Sequence, residues 1–93
     1  MKLTADSITN LNAALVQEQG AAAIRSGDAQ VDFSAVRRCD TAAVACVLAW
    51  LREARAAGRT LELVALPDDL MSLAKLYGVD QLIAPGRTAG SPA

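Results

Sequence analysis

The stretch Val31-Asp32-Phe33-Ser34-Ala35-Val36-Arg37-Arg38-Cys39-Asp40-Thr41-Ala42-Ala43 decides how this chain folds. Its first residues alternate apolar and polar, as a half-buried strand does. Ser34 and Ala35 form a turn, after which Val36 is expected to tuck into the core. Asp40-Thr41 then opens a helix whose first three turns carry almost no charge. A hydroxyl there stands where free backbone N–H groups and the positive end of the helix dipole converge. Such a position suits a cap, a contact point or a phosphate acceptor. Either Asp40 or Thr41 can serve as the cap; if Asp40 does, Thr41 is left free to face outward.

Downstream, the helix spans about residues 41–57 and ends at Gly58. Steps of about 100° per residue bring Val44, Val47, Leu48 and Leu51 into one core-facing arc. Ala42, Ala45, Cys46, Ala49, Arg52 and Glu53 fall on the opposite arc, and Trp50 lies at the border of the core arc, where it covers the core edge. Arg52, Arg55 and Arg59 read as solvated cations near the helix C-terminus. Thr60-Leu61-Glu62-Leu63-Val64 alternates again as a strand. Pro67, Asp68 and Asp69 favour the start of another helix, with Leu70, Leu73, Ala74 and Tyr77 as its core stripe and Gly78 as its stop. Residues 79–83 follow as a last turn or short strand.

Upstream, Leu3-Thr4 reads as a short strand or lead-in, and no second strand is obvious before the first helix. Ser7 or Thr9 is the expected cap of that helix, with Leu11, Ala14, Leu15, Ala22 and Ile24 as its apolar positions and a break or bend near Gly20. Ser26-Gly27-Asp28 is its stop. The order strand, helix, strand, helix, strand, helix predicts a small α/β domain. Its sheet is mostly parallel, with helices packed mainly on one face. The boundaries read as one domain over 1–84 and a flexible tail over 85–93, rich in Gly, Pro, Ser and Thr.

Ninety-three residues allow one modest core. Apolar residues make up 53%, much of it alanine, and the aromatics are Phe33, Trp50 and Tyr77 alone. Nine basic residues nearly balance ten acidic ones, and no basic stripe interleaves with aromatics, which argues against nucleic acid as a partner. The uncharged runs fall short of the roughly 20 residues that cross a bilayer, and the start has no signal-peptide h-region. A cytoplasmic protein without direct membrane insertion is the expectation.

Catalysis finds little support. The chain has no histidine, and Asp40 and Thr41 diverge by about 100° on the helix, so they form no nucleophile–base pair. The glycines at 20, 27, 58, 78, 86 and 90 build no phosphate-cradling loop. Cys39 and Cys46, if on one helix, would be separated by about 10 Å of rise, beyond disulfide reach. Without a third thiol they make a poor zinc site. Two structural thiols, no metal and no cofactor are expected.

The segments Val31 to Val36 and Asp40 to Ala43 resemble STAS domains, the family of anti-sigma factor antagonists. In that family a strand with Asp and a short turn lead to Asp-Ser/Thr and small residues that start a helix. The likeness continues through Leu48-Ala49-Trp50-Leu51, Ala54 to Arg59, and Leu66-Pro67 to Val79, covering roughly residues 3–83. It is strongest to the transporter-associated members, small STAS subunits of Mla-type phospholipid ABC transporters. Two features depart from the wider pattern: Ala43 stands where glycine is frequent, and the N-terminal strand pair is cut to one short strand.

The resemblance implies a non-catalytic subunit that docks on a cytoplasmic ABC ATPase, and through it meets the permease at the inner membrane. Thr41 would then sit in a docking face with Asp40, Ala42, Ala45, Cys46 and Ala49, whose small side chains admit close approach. The same arc also reads as an ordinary alanine-rich solvent face. A second functional reading is an anti-sigma factor antagonist that releases its kinase-type partner when Thr41 is phosphorylated.

Overall fold

The computed structural model describes residues 1–81. The expected tail over 85–93 and the residues Leu82-Ile83 lie outside them. The elements are β1 (Ser7–Ile8), α1 (Ala13–Arg25), β2 (Gln30–Asp32), β3 (Arg38–Cys39), α2 (Thr41–Ala56), β4 (Glu62–Val64) and α3 (Asp68–Leu76). The result is a small α/β domain of three helices and parallel strands. The strands form two pairs instead of one sheet. β2 runs parallel to β4, with Val31 opposite Leu63, and β1 runs parallel to β3, with Ile8 opposite Cys39. The N-terminus adds a parallel bridge from Lys2 to Asp32, held by Leu3 N donating to Asp32 O at 3.0 Å and Asp32 N donating to Met1 O at 2.8 Å.

Two segments thus precede α1 and pair with later strands, where the sequence reading placed only one. β1 and β3 have two residues each, too few for alternation to reveal. Ser7 belongs to β1 and caps nothing. Thr9 instead makes a tight turn, its hydroxyl accepting from Leu11 N and its carbonyl from Asn12 N and Ala13 N.

The core joins Ile8, Val31, Phe33, Leu61, Leu63 and Leu70 to α1 and α2. Val36 is buried as its position after the turn predicts. Trp50 does not cover an edge; it is fully buried. Its ring meets Phe33 at 6.1 Å between centroids, and its indole N–H donates to Gln17 O at 2.9 Å. Gly20 does not break α1, which runs continuously through it. A Cβ built there would lie 2.3 Å from Trp50 Nε1. Absence of a side chain lets the helix backbone rest on the indole.

This packing places the core arc of α2 differently from the hydropathy pattern. Ala43, Val44, Cys46, Val47, Trp50 and Ala54 are buried, whereas Leu48 and Leu51 are only partly so. α1 covers the side that holds Cys46. On α1 the buried stripe is Val16, Gly20, Ala21 and Ile24, and the expected core residues Leu11 and Leu15 are exposed. Tyr77, expected in the core stripe of α3, is exposed as well, since the helix has ended there and Leu70 and Ala74 carry the burial. Arg59 is more than a solvated end: its Nη1 donates to Ile24 O at 2.7 Å at the close of α1. The Ser26-Gly27-Asp28 stop holds, with Gly27 in the left-handed region, as are Gly58 and Gly78 at the other helix ends.

Candidate functional site

Asp40 decides the geometry around Thr41. β3 delivers it in extended conformation, and its Oδ1 accepts from Ala42 N at 2.8 Å while its carbonyl accepts from Ala43 N at 3.0 Å. Its Oδ2 accepts from Asn10 N at 3.1 Å, so the same carboxylate pins the turn before α1 to the start of α2. Of the two candidate caps, Asp40 is the one in use. Thr41 therefore occupies the first helical turn, exposed, and its hydroxyl makes no hydrogen bond to any described residue.

A groove of about 410 Å³ opens beside Thr41 between the start of α2 and the middle of α3. Cys39, Asp40, Thr41, Asp69, Ser72 and Leu73 line it. Asp69, Ser72 and Leu73 were not among the candidate site residues. Sequence assigned Asp69 to the helix dipole and Leu73 to a core stripe; Asp69 stands in the first turn of α3 and Leu73 is partly buried against the core. Only the tertiary meeting of α3 with α2 turns them toward Thr41. Asn10 was likewise invisible, because its link to Asp40 spans thirty positions and needs β1 and β3 to pair.

The groove is chemically quiet. Burial, then the nearby carboxylates of Asp69 and Asp40 and the thiol of Cys46, push the Cys39 thiol up to about 11. Cys46 is also raised, by burial first and Asp40 second. Both thiols are free and stay protonated at neutral pH. Each Asp40 oxygen already accepts from a backbone N–H, which leaves the carboxylate poorly placed to take a proton from Thr41. Among the described residues no group of His, Cys, Asp and Glu is arranged to hold a metal. What the site offers is a hydroxyl, a carboxylate pair and an apolar floor on a fixed helix end.

The residues expected to form a face around Thr41 differ in exposure. Ala45 is exposed and Ala42 and Ala49 are half-buried, so these three present low side chains beside Thr41. Cys46 is a correction: it is fully buried, its Sγ donating to Ala13 O at 3.4 Å, and it belongs to the α1–α2 contact instead of an exposed face. The angular pattern of α2 alone places Cys46 outside the apolar arc, but α1 covers that side of the helix. Among the described residues no helix is long and apolar enough to cross a membrane.

Comparison with known proteins agrees with this architecture. A family model described as "Mlab, STAS domain" matches residues 2–84. A search of curated proteins returns no match. STAS domains are generally non-catalytic. By a match that covers nearly the whole chain, this protein belongs to the STAS-domain family and is of the MlaB type.

Proposed function

We propose that this protein is a non-catalytic STAS subunit that binds the ATPase of an Mla-type phospholipid ABC transporter and supports its assembly or activity. The match to the MlaB-type model across residues 2–84 carries the reading. The local chemistry supports it: a fixed helix end presents a hydroxyl with no hydrogen-bond partner among the described residues, beside Ala42, Ala45 and Ala49. Small residues let a partner backbone approach closely, and one central hydroxyl can satisfy a partner group that would otherwise be buried unpaired. On this reading the domain is cytoplasmic, peripheral to the inner membrane through its partner, and meets the permease only indirectly. It carries no reaction of its own and needs no cofactor.

The exposed Thr41 hydroxyl also favours the anti-sigma antagonist as the second reading. A phosphate there would add about −1.5 to −2 charges beside Asp40 and Asp69, and repulsion would expel the partner.

Thr41→Glu tests the docking face. At the first turn of α2 the added carboxylate complements the helix dipole, so the melt should stay within about 0.5 kcal/mol of wild type. In a close-packed contact it must be desolvated beside two carboxylates, and binding to the ATPase should weaken more than about tenfold. Thr41→Ala should act more mildly, by about 1 kcal/mol for one lost hydrogen bond. Equal ATPase binding by Thr41→Glu and wild type would move the interface elsewhere on the domain.

A further inference from the structure

We propose that Ala65 is a strained hinge that keeps α3 poised to swing away from α2, opening the groove beside Thr41 for the partner. The inference rests on the proposed function and adds a conformational control of that same site.

Among the described residues Ala65 is the one non-glycine residue with positive φ, at 57°. The other left-handed positions, Gly27, Gly58 and Gly78, are glycines, which take up that conformation without steric cost. In an alanine it presses Cβ against the following carbonyl oxygen. No packing of its own side chain offsets the strain, because Ala65 is exposed. Its neighbours leave it little choice. Val64 O accepts from Phe33 N at 2.9 Å, which fixes the end of β4. Pro67, with φ −68°, fixes the start of α3. Between them Leu66 packs against the core. The chain has only Ala65 and Leu66 in which to turn, and the strain falls on Ala65.

The strained joint leads directly into α3. Leu70 and Ala74 are the only fully buried residues of that helix, and it ends at Gly78, a second left-handed joint. Asp69, Ser72 and Leu73 of α3 wall the groove opposite Thr41. Swinging α3 about the two joints moves that wall and uncovers Leu73 and Cys39, which are half-buried when it is docked. Ala42, Ala45 and Ala49 offer little apolar area, so the site gains its apolar contact by opening. A partner that docks on the opened groove binds only the fraction of molecules in which α3 has swung out. Strain that loosens α3 raises that fraction.

The test measures amide exchange in the free chain and affinity for the purified Mla-type ATPase from the same organism, for wild type, Ala65→Gly and Ala65→Val. In wild type the amides from Leu73 to Leu76 should be at least about tenfold less protected than those in the middle of α2. Glycine relieves the strain and should raise protection in α3 about fivefold while weakening ATPase binding by a similar factor. Valine, whose branched side chain fits the left-handed region worse, should lower the protection and tighten the binding. Stability and affinity thus move in opposite directions, which a merely structural residue would not produce. Raised protection in Ala65→Gly with unchanged ATPase affinity overturns the inference and leaves the proposed function standing. So does protection in α3 equal to that in α2, or unaltered by glycine. A wild-type chain that does not bind the ATPase overturns both. If Ala65→Val fails to fold, the glycine variant decides alone.

Discussion

Replacing Gly20 with alanine separates two readings of this residue by sign. If Gly20 were a weak point of α1, alanine would stabilise the helix by about 0.5–1 kcal/mol. The structure predicts the reverse. An added Cβ would meet Trp50 Nε1 at 2.3 Å, Cε2 at 2.4 Å and Cζ2 at 2.8 Å, all atoms of one rigid ring. Trp50 is fully buried and packs at a tilt of 53° against Phe33, so the ring has little free volume to enter. Overpacking of this kind costs about 1–3 kcal/mol. Displacing the indole also stretches its 2.9 Å bond to Gln17 O, and an unpaired buried N–H costs about 1–3 kcal/mol more. After subtracting the propensity gain, Gly20→Ala should destabilise by about 2–4 kcal/mol, a Tm drop on the order of 10–20 °C for a domain of this size. Chemical denaturation followed by the fluorescence of the lone tryptophan gives both quantities. Paired with Trp50→Phe, the glycine change should show coupling above about 0.5 kcal/mol. A Gly20→Ala variant more stable than wild type, or one additive with Trp50→Phe, would refute the packing argument.

Further expectations follow from the α2 start and its thiol. Asp40→Ala removes the acceptor of both Ala42 N and Asn10 N and should cost about 1–2 kcal/mol in urea denaturation; amide exchange at Asn10 should quicken with it, and unchanged exchange there would deny the link between α1 and α2. The Cys39 thiol is raised in the fold from 9.0 to about 11. Its stabilising contribution is thus complete below pH 9.0, where the unfolded thiol begins to ionise, and is lost as the pH rises toward about 11. Stability should fall across that window with a shallower slope in Cys39→Ala, which urea midpoints at stepped pH can measure; equal slopes would place the thiol in a water-like setting.

Much of the architecture was legible because it is written in local patterns. Alternation located β2 and β4, the cap chemistry of Asp40-Thr41 and the stop at Gly58 bounded α2, and Asp68-Asp69 marked the start of α3. Elements defined by partners were not legible. β1 and β3 are two residues long and exist as strands only because Ser7 pairs with Arg38 and Ile8 with Cys39. The larger misreading concerned which faces are covered. Hydropathy ranks Leu11 and Leu15 above Gly20 and Cys46, yet α1 and α2 approach each other through the small residues and leave the leucines outside. Gly20 signals a break to local rules, while its actual role is set by a tryptophan thirty positions away. At the site, the hydroxyl and its capping carboxylate were visible as neighbours in sequence. The far wall of the groove, from Asp69 to Leu73, required the docking of α3.

The claim that this STAS domain serves an ABC ATPase is tested most directly by isolating the native complex. The chain, tagged and expressed from its own locus, should be purified at physiological salt and its bound proteins identified and quantified by mass spectrometry. The account predicts an ABC ATPase in near-stoichiometric amount, accompanied by a permease in detergent extracts and depleted in the Thr41→Glu strain. Recovery of a kinase-type anti-sigma factor in its place, with no ATPase of the transporter class, would contradict it.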